Sequence, residues 1–232
     1  MYYSNDHEVN QSRIFNKVQI LGPFTTGTNL LYNIINVGYE TNICMKGCTY
    51  IWKHTICDKP EIIKNLSDNV LKIVMVRDPY FWLQSLKEKK LYTLETDVKN
   101  KSDVNSIVTR PCKLRGHTFE SPVHLWNYYY KTYLEYLPKE STIWISYEKF
   151  LFEPRKIIGA LSRHLKMKSE FDNSKIIKII SKPSNKRSKG REEALNFNKN
   201  LNNRKRIFNN KTLNYIESHL DKKLLNLFYY QN

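Results

Sequence analysis

No run of apolar residues in this chain approaches the roughly 20 needed to cross a bilayer as a helix, so no membrane span is expected. The opening stretch MYYSNDHEVNQSR lacks the apolar segment of a secretory leader, and a cytoplasmic protein is expected. Cysteine is scarce. Cys44, Cys48, Cys57 and Cys112 are too few to hold 232 residues by a disulfide scaffold, and reduced thiols suit that compartment. There is no internal repeat. Acidic side chains run short, 22 against 38 basic ones, and the net charge of +16 favours anionic partners: nucleotide phosphates, sulfated glycans, nucleic acid or a membrane surface. Charge does not choose among them. Much of the excess lies between Lys182 and Arg206, where Lys182, Lys186, Arg187, Lys189, Arg191, Lys199, Arg204, Lys205 and Arg206 read equally as a solvated basic loop or a phosphate-binding one.

What is present is the composition of a folded protein, 41% hydrophobic and 13% aromatic, at a length that suits one domain over 1–232 with residues 1–14 as a flexible end. Lys17–Leu21 reads as a short apolar strand running into Gly22-Pro-Phe-Thr-Thr-Gly27-Thr-Asn29. Leu30, Leu31, Ile34 and Ile35 then recur at helical spacing, with Gly38 as the stop. A second strand, Val70–Val76, has the length and β-branched content of a buried parallel strand. Arg77-Asp78-Pro79 ends it, with Asp78 as cap and Pro79 as first residue of a helix that buries Phe81, Trp82, Leu83 and Leu86.

Residues 92–121 show no period and read as a long, partly mobile insertion. Pro122 opens a helix with Trp126, Tyr130, Tyr133 and Leu137 along one stripe, and the Tyr128–Tyr130 run reads as packing rather than a stacking platform. Thr142–Tyr147 is a third strand. Pro154 starts a helix with Ile157, Ile158, Leu161 and Leu165 inward, and further helices are expected near 173–181 and 210–229. Strand alternating with helix predicts an α/β fold, a three-layer sandwich around a central, mainly parallel sheet, with ligands at the carboxyl ends of the strands.

Gly22 to Gly27 has the G-x-x-x-x-G spacing of a loop whose backbone N–H groups, with the following helix N-terminus, face an anion. The next two residues depart from the nucleotide triphosphatase pattern. Thr28 stands where a lysine would reach the β- and γ-phosphates, and Asn29 where Ser or Thr would hold magnesium. Such a loop suits a ligand whose reactive group is not a magnesium-bound triphosphate.

Here the chain resembles the sulfotransferases that use 3′-phosphoadenylyl sulfate (PAPS), nearest in spacing to the cytosolic branch. Thr25-Thr26-Gly27-Thr28-Asn29 is similar to that family's loop for the 5′-phosphosulfate. Val74-Met-Val-Arg77-Asp-Pro, with Ser85, is similar to its second motif, in which an arginine at a strand end and a serine eight residues on hold the 3′-phosphate. A planar guanidinium and a hydroxyl suit one dianion, although Arg-Asp-Pro reads also as a salt-bridged helix cap. Trp52-Lys53-His54 matches a segment that precedes the arginine strand and supplies the general base. His54 lies 23 residues before Arg77, and an imidazole takes a proton near neutral pH.

The resemblance therefore implies a P-loop-like sulfotransferase fold and sulfuryl transfer from PAPS to a hydroxyl or amine of a small-molecule or glycan acceptor. His54 would be the base and Lys53 would stabilise charge, with no metal and no nucleic acid partner. It also implies that Tyr147 contacts the adenine, where the residue alone reads as a strand-end aromatic, and that Ser188-Lys189-Gly190 closes over the 3′-phosphate. One departure stands out. Many members carry a basic residue two places ahead of the loop glycine, where this chain has Thr25. Three other readings stay open: zinc on Cys44, Cys48, His54 and Cys57, whose spacing is that of no common zinc module; a magnesium-dependent phosphotransferase; and a non-catalytic polyanion-binding module.

Overall fold

Seven consecutive buried residues, Val70–Val76, form the strand that organises the first part of the chain. The computed structural model describes residues 13–43, 51–59, 61–62, 69–88, 95–96, 103–168, 191–228 and 230. In chain order the elements are β1 (Lys17–Leu21), α1 (Thr28–Gly38), β2 (Asn42–Ile43), β3 (Val70–Val76), α2 (Pro79–Glu88), β4 (Glu95–Thr96), α3 (Val104–Val108), β5 (Cys112–Leu114) and β6 (His117–Phe119). Then come α4 (Pro122–Tyr136), β7 (Thr142–Ser146), α5 (Tyr147–Phe152), α6 (Pro154–Ser162), α7 (Arg191–Lys199), α8 (Asn210–His219) and α9 (Lys222–Leu227), with short 3-10 turns at Lys139–Ser141 and Leu201–Arg204. They divide into two compact units, one built from Met1–Val76 and Thr132–Phe197, the other from Arg77–Lys131 and Asn198–Asn232.

The first unit is an α/β structure on a four-stranded, all-parallel sheet of order β2-β1-β3-β7. Parallel pairing demands crossovers, which bury the sheet and explain why β3 reads as an almost unbroken apolar run. Alternation along the strands sends Val18, Ile20, Leu71, Ile73, Met75, Ile143 and Ile145 into one core cluster. That cluster also holds Leu31, Ile34 and Ile35 of α1 and Ile157, Ile158 and Leu161 of α6. The Tyr39 hydroxyl ties the end of α1 to α6, lying 3.1 Å from both the Ile158 carbonyl and Ser162 Oγ. Burial pushes that phenol up to about 12, against the opposing bond to Ser162. On the opposite face the register aligns Gln19, Lys72 and Thr142 in a polar row. Lys72 is fully buried and donates to Ser141 Oγ at 3.0 Å. Tyr133, Leu134 and Leu137, from the end of α4, share a shallow recess with Trp144 on that face.

Several expectations hold to the residue. β1 and β3 have the predicted bounds, α1 ends at Gly38, and the stripe Trp126, Tyr130, Tyr133 and Leu137 is buried. Tyr129 and Tyr130 are fully enclosed, as packing residues should be. Tyr147 differs from its expected place, because the strand stops at Ser146, whose hydroxyl accepts from the Lys149 amide and caps α5.

In the second unit, Asp78 accepts from the amides of Tyr80 (2.8 Å) and Phe81 (3.2 Å) and so caps α2, with Pro79 as its first residue. The buried Asp78 carboxylate also meets Arg204 Nε at 2.6 Å, and the Arg204 guanidinium lies 4.8 Å over the Tyr80 ring. The stretch expected as an irregular insertion is organised where it is described. Asp103 caps α3, and β4-β5-β6 form an antiparallel sheet. Strands of two and three residues are too short to register as a period, which is why the sequence showed none.

The helix expected over 210–229 is two helices, because Asp221 caps a new one through the Lys223 and Leu224 amides. Burial opposes ionisation of that carboxyl, but the Lys131 ion pair at 2.7 Å and the two amides hold it below the usual range. The helix expected near 173–181 lies outside the described residues.

Candidate active site

The loop between β1 and α1 owes its shape to backbone that ordinary residues avoid. Gly22 and Gly27 have φ of 150° and 87°, and Thr25, a β-branched residue, has φ of 64°. Gly27 is required twice over, since a Cβ there would also stand 2.5 Å from Cδ2 of Tyr147. The Thr26 hydroxyl is spent inside the loop, on the Pro23 carbonyl at 2.7 Å. The left-handed turn at Gly27 delivers the chain into α1. The Gly27 carbonyl takes the first helical bond, from Leu31, and the first turn of α1 carries no acidic side chain. Amides at the start of a helix have no acceptor within it, so this terminus presents N–H groups and the positive end of the helix dipole.

The segment Trp52-Lys53-His54 is laced onto the loop by three bonds. The Gly22 amide donates to the Lys53 carbonyl at 3.0 Å. His54 Nδ1 lies 2.7 Å from the Gly22 carbonyl, and because a carbonyl only accepts, Nδ1 carries the proton there. In the neutral ring the basic lone pair is then on Nε2. Lys53 Nζ donates to Asn29 Oδ1 at the first turn of α1. The imidazole is buried between Phe24, with centroids 4.5 Å apart, and Trp52, at 4.7 Å and edge-on. Thus the first unit brings together Thr25, Thr26, Gly27, Thr28, Asn29, Lys53, His54 and Tyr147. They lie at the carboxyl ends of β1 and β7, where parallel sheets bind ligands.

Arg77 and Ser85 belong to the second unit. The Arg77 peptide is gripped by α4: its carbonyl accepts from Trp126 Nε1 at 3.1 Å and its amide lies 3.4 Å from the Tyr130 hydroxyl. Ser85 donates to the Trp82 carbonyl at 2.6 Å, a bond within its own helix. The salt-bridged cap that Arg-Asp-Pro suggested is present, but Asp78 takes Arg204 as its partner. Arg204 thereby leaves the basic cluster as a buried structural cation, and Lys205 pairs with Glu217 at 2.7 Å.

Ser188, Lys189 and Gly190, with Lys182, Lys186 and Arg187, lie outside the described residues, as do Cys44 and Cys48. Of the remaining zinc candidates, Cys57 is fully buried, and its thiol is pushed up to about 12 by burial and then by Asp58, which keeps it protonated at neutral pH. Among the described residues no group of three His, Cys, Asp or Glu side chains is placed to hold a metal.

Two features of the site were not readable from spacing. Tyr147 stands against the loop glycine, and Glu148, a buried carboxylate, receives the Ser146 hydroxyl at 3.1 Å beside the end of β7. The class these observations define is an α/β protein with an all-parallel sheet and a glycine-containing loop that leads from its first strand into a helix. The chain matches no family model, no curated protein and no solved structure. No helix among the described residues is long and apolar enough to cross a membrane.

Proposed function

We propose that this protein is a PAPS-dependent sulfotransferase of P-loop-like, three-layer architecture, transferring a sulfuryl group to a hydroxyl or amine of a small-molecule or glycan acceptor. The observation that carries the reading is the joining of His54 and Lys53 to the Gly22–Asn29 loop, because it sets a base and a cation beside a helix N-terminus suited to an anion. The tautomer supports the same reading. With Nδ1 held as the donor to Gly22, Nε2 is the nitrogen able to take the acceptor proton as the acceptor atom attacks sulfur and adenosine 3′,5′-bisphosphate leaves. Lys53 supplies the positive charge that Thr25 does not. For Arg77 and Ser85, the assignment to the 3′-phosphate rests on the sequence resemblance alone.

Calorimetric titration tests the donor assignment. Adenosine 3′,5′-bisphosphate is expected to bind without magnesium, and a preference for magnesium ATP would sink the proposal in favour of a phosphotransferase. His54→Asn tests the base, because the asparagine amide can still donate to the Gly22 carbonyl while offering no basic nitrogen. Transfer of labelled sulfate should fall by about 100-fold or more with donor affinity retained. Undiminished transfer would remove His54 from the mechanism.

A further inference from the structure

The loop departs from the phosphate-binding pattern at two adjacent positions, and the side-chain geometry gives both departures one explanation. Neither Thr25 nor Thr28 brings a cation to the loop, and Asn29 cannot do the work of a magnesium-binding hydroxyl. Yet an ammonium is present there. Lys53 arrives from a different segment, fixed at its own carbonyl by the Gly22 amide and at its head by Asn29 Oδ1.

We infer that Asn29 is a positioning residue whose purpose is to hold the Lys53 ammonium at the first turn of α1, so that Lys53 acts as the loop's transplanted cation. The inference rests on the reading of the loop as the sulfate-donor site. A free lysine side chain samples many rotamers, and ordering it costs conformational entropy, so a cation used to meet an anion gains from being held beforehand. The chemistry of the holder matters. An amide oxygen accepts from the ammonium without cancelling its charge, whereas a carboxylate would bind the ammonium more firmly, neutralise it, and add a negative charge to a helix N-terminus that should receive an anion. Asparagine accepts from the ammonium and leaves its charge in place.

Asn29→Leu and Asn29→Asp should behave differently, and two measurements follow each variant. The first is trace labelling of lysines with acetic anhydride, read at Lys53 by mass spectrometry, which needs no ligand. Asn29→Leu should raise Lys53 labelling several-fold, while Asn29→Asp keeps it at or below the wild-type level. Unchanged labelling in Asn29→Leu would overturn the positioning role. The second is titration with adenosine 3′,5′-bisphosphate. Asn29→Leu and Lys53→Met should each weaken binding by about tenfold, and the double variant should be no weaker than Lys53→Met, because Asn29 acts through Lys53. Additive losses would overturn the inference. Asn29→Asp should lose nucleotide binding although its lysine stays protected, a split that general damage to the loop would not produce; retained binding in Asn29→Asp would overturn the inference. Wild-type protein that fails to bind the nucleotide would refute the donor reading, and the labelling measurement would still decide whether Asn29 holds Lys53.

Discussion

Gly27 shows how a single residue can be fixed by two independent demands. Its φ of 87° costs any L-residue strain, and the Tyr147 ring leaves no room for a methyl group. Gly27→Ala is therefore expected to destabilise the protein by about 2–4 kcal/mol, measured from urea midpoints. Adding Tyr147→Ala should recover only the steric share and leave about 1 kcal/mol of backbone strain. The spacing of the loop was legible in the sequence because it is local. The Tyr147 contact was not, since it joins residues more than a hundred positions apart in the chain, and nothing in Ser146-Tyr-Glu-Lys149 announces which glycine the ring will meet.

His124 makes part of the stability depend on pH. Burial and then the neighbouring His219, whose ring centroid lies 5.2 Å away, disfavour its charged form, against the pull of Glu120 at 3.2 Å, and its imidazole is held below the ordinary value. The unfolded chain then binds the proton more readily than the folded one. The stability due to this group is full above about pH 6.5 and is lost as pH falls through and below that value. Urea unfolding at pH 7.5 and 5.5 should show a drop in the wild type that is smaller in His124→Gln.

Among the elements, the long and apolar ones were legible and the short ones were not. β3 could be bounded from its composition because seven buried residues in a row leave little else for them to form. The β5–β6 hairpin escaped notice because its strands are three residues long and its turn lacks the usual signal. Arg115 and Gly116 occupy the two central positions with φ of 48° and 86°, a backbone that favours Asn-Gly. Arg115→Asn should stabilise the second unit by about 0.5–1 kcal/mol in thermal unfolding. The start of α2 carries the opposite kind of expectation. Asp78→Ala removes its cap and strands the buried Arg204 guanidinium, a loss of about 3–5 kcal/mol by urea titration. That Asp78 would cap α2 was readable from Asp-Pro. That its ionic partner would be Arg204 was not, because no local pattern links residues so distant in sequence.

At the scale of the whole molecule, the excess of 16 positive charges raises the encounter rate with any anion, and that contribution is screened over about 10 Å in 0.1 M salt. On the proposed donor assignment, binding of adenosine 3′,5′-bisphosphate should persist at salt concentrations where association with an arbitrary single-stranded oligonucleotide has vanished. Parallel titrations at increasing salt would show it. Equal salt sensitivity for both ligands would favour a general polyanion binder.

The two units also interleave along the chain: the divisions fall after Val76, within α4 after Lys131, and within α7 after Phe197. β3 consequently pairs with β1 before it and with β7 after it, and the whole of 77–141 lies between β3 and that second partner. During synthesis, at about 5–20 residues per second, β3 must wait several seconds for its second neighbour. Through that interval an apolar strand has one unpaired edge, the geometry most open to association between nascent chains, so the yield of folded protein should depend on translation speed and on chaperone protection of Val70–Val76.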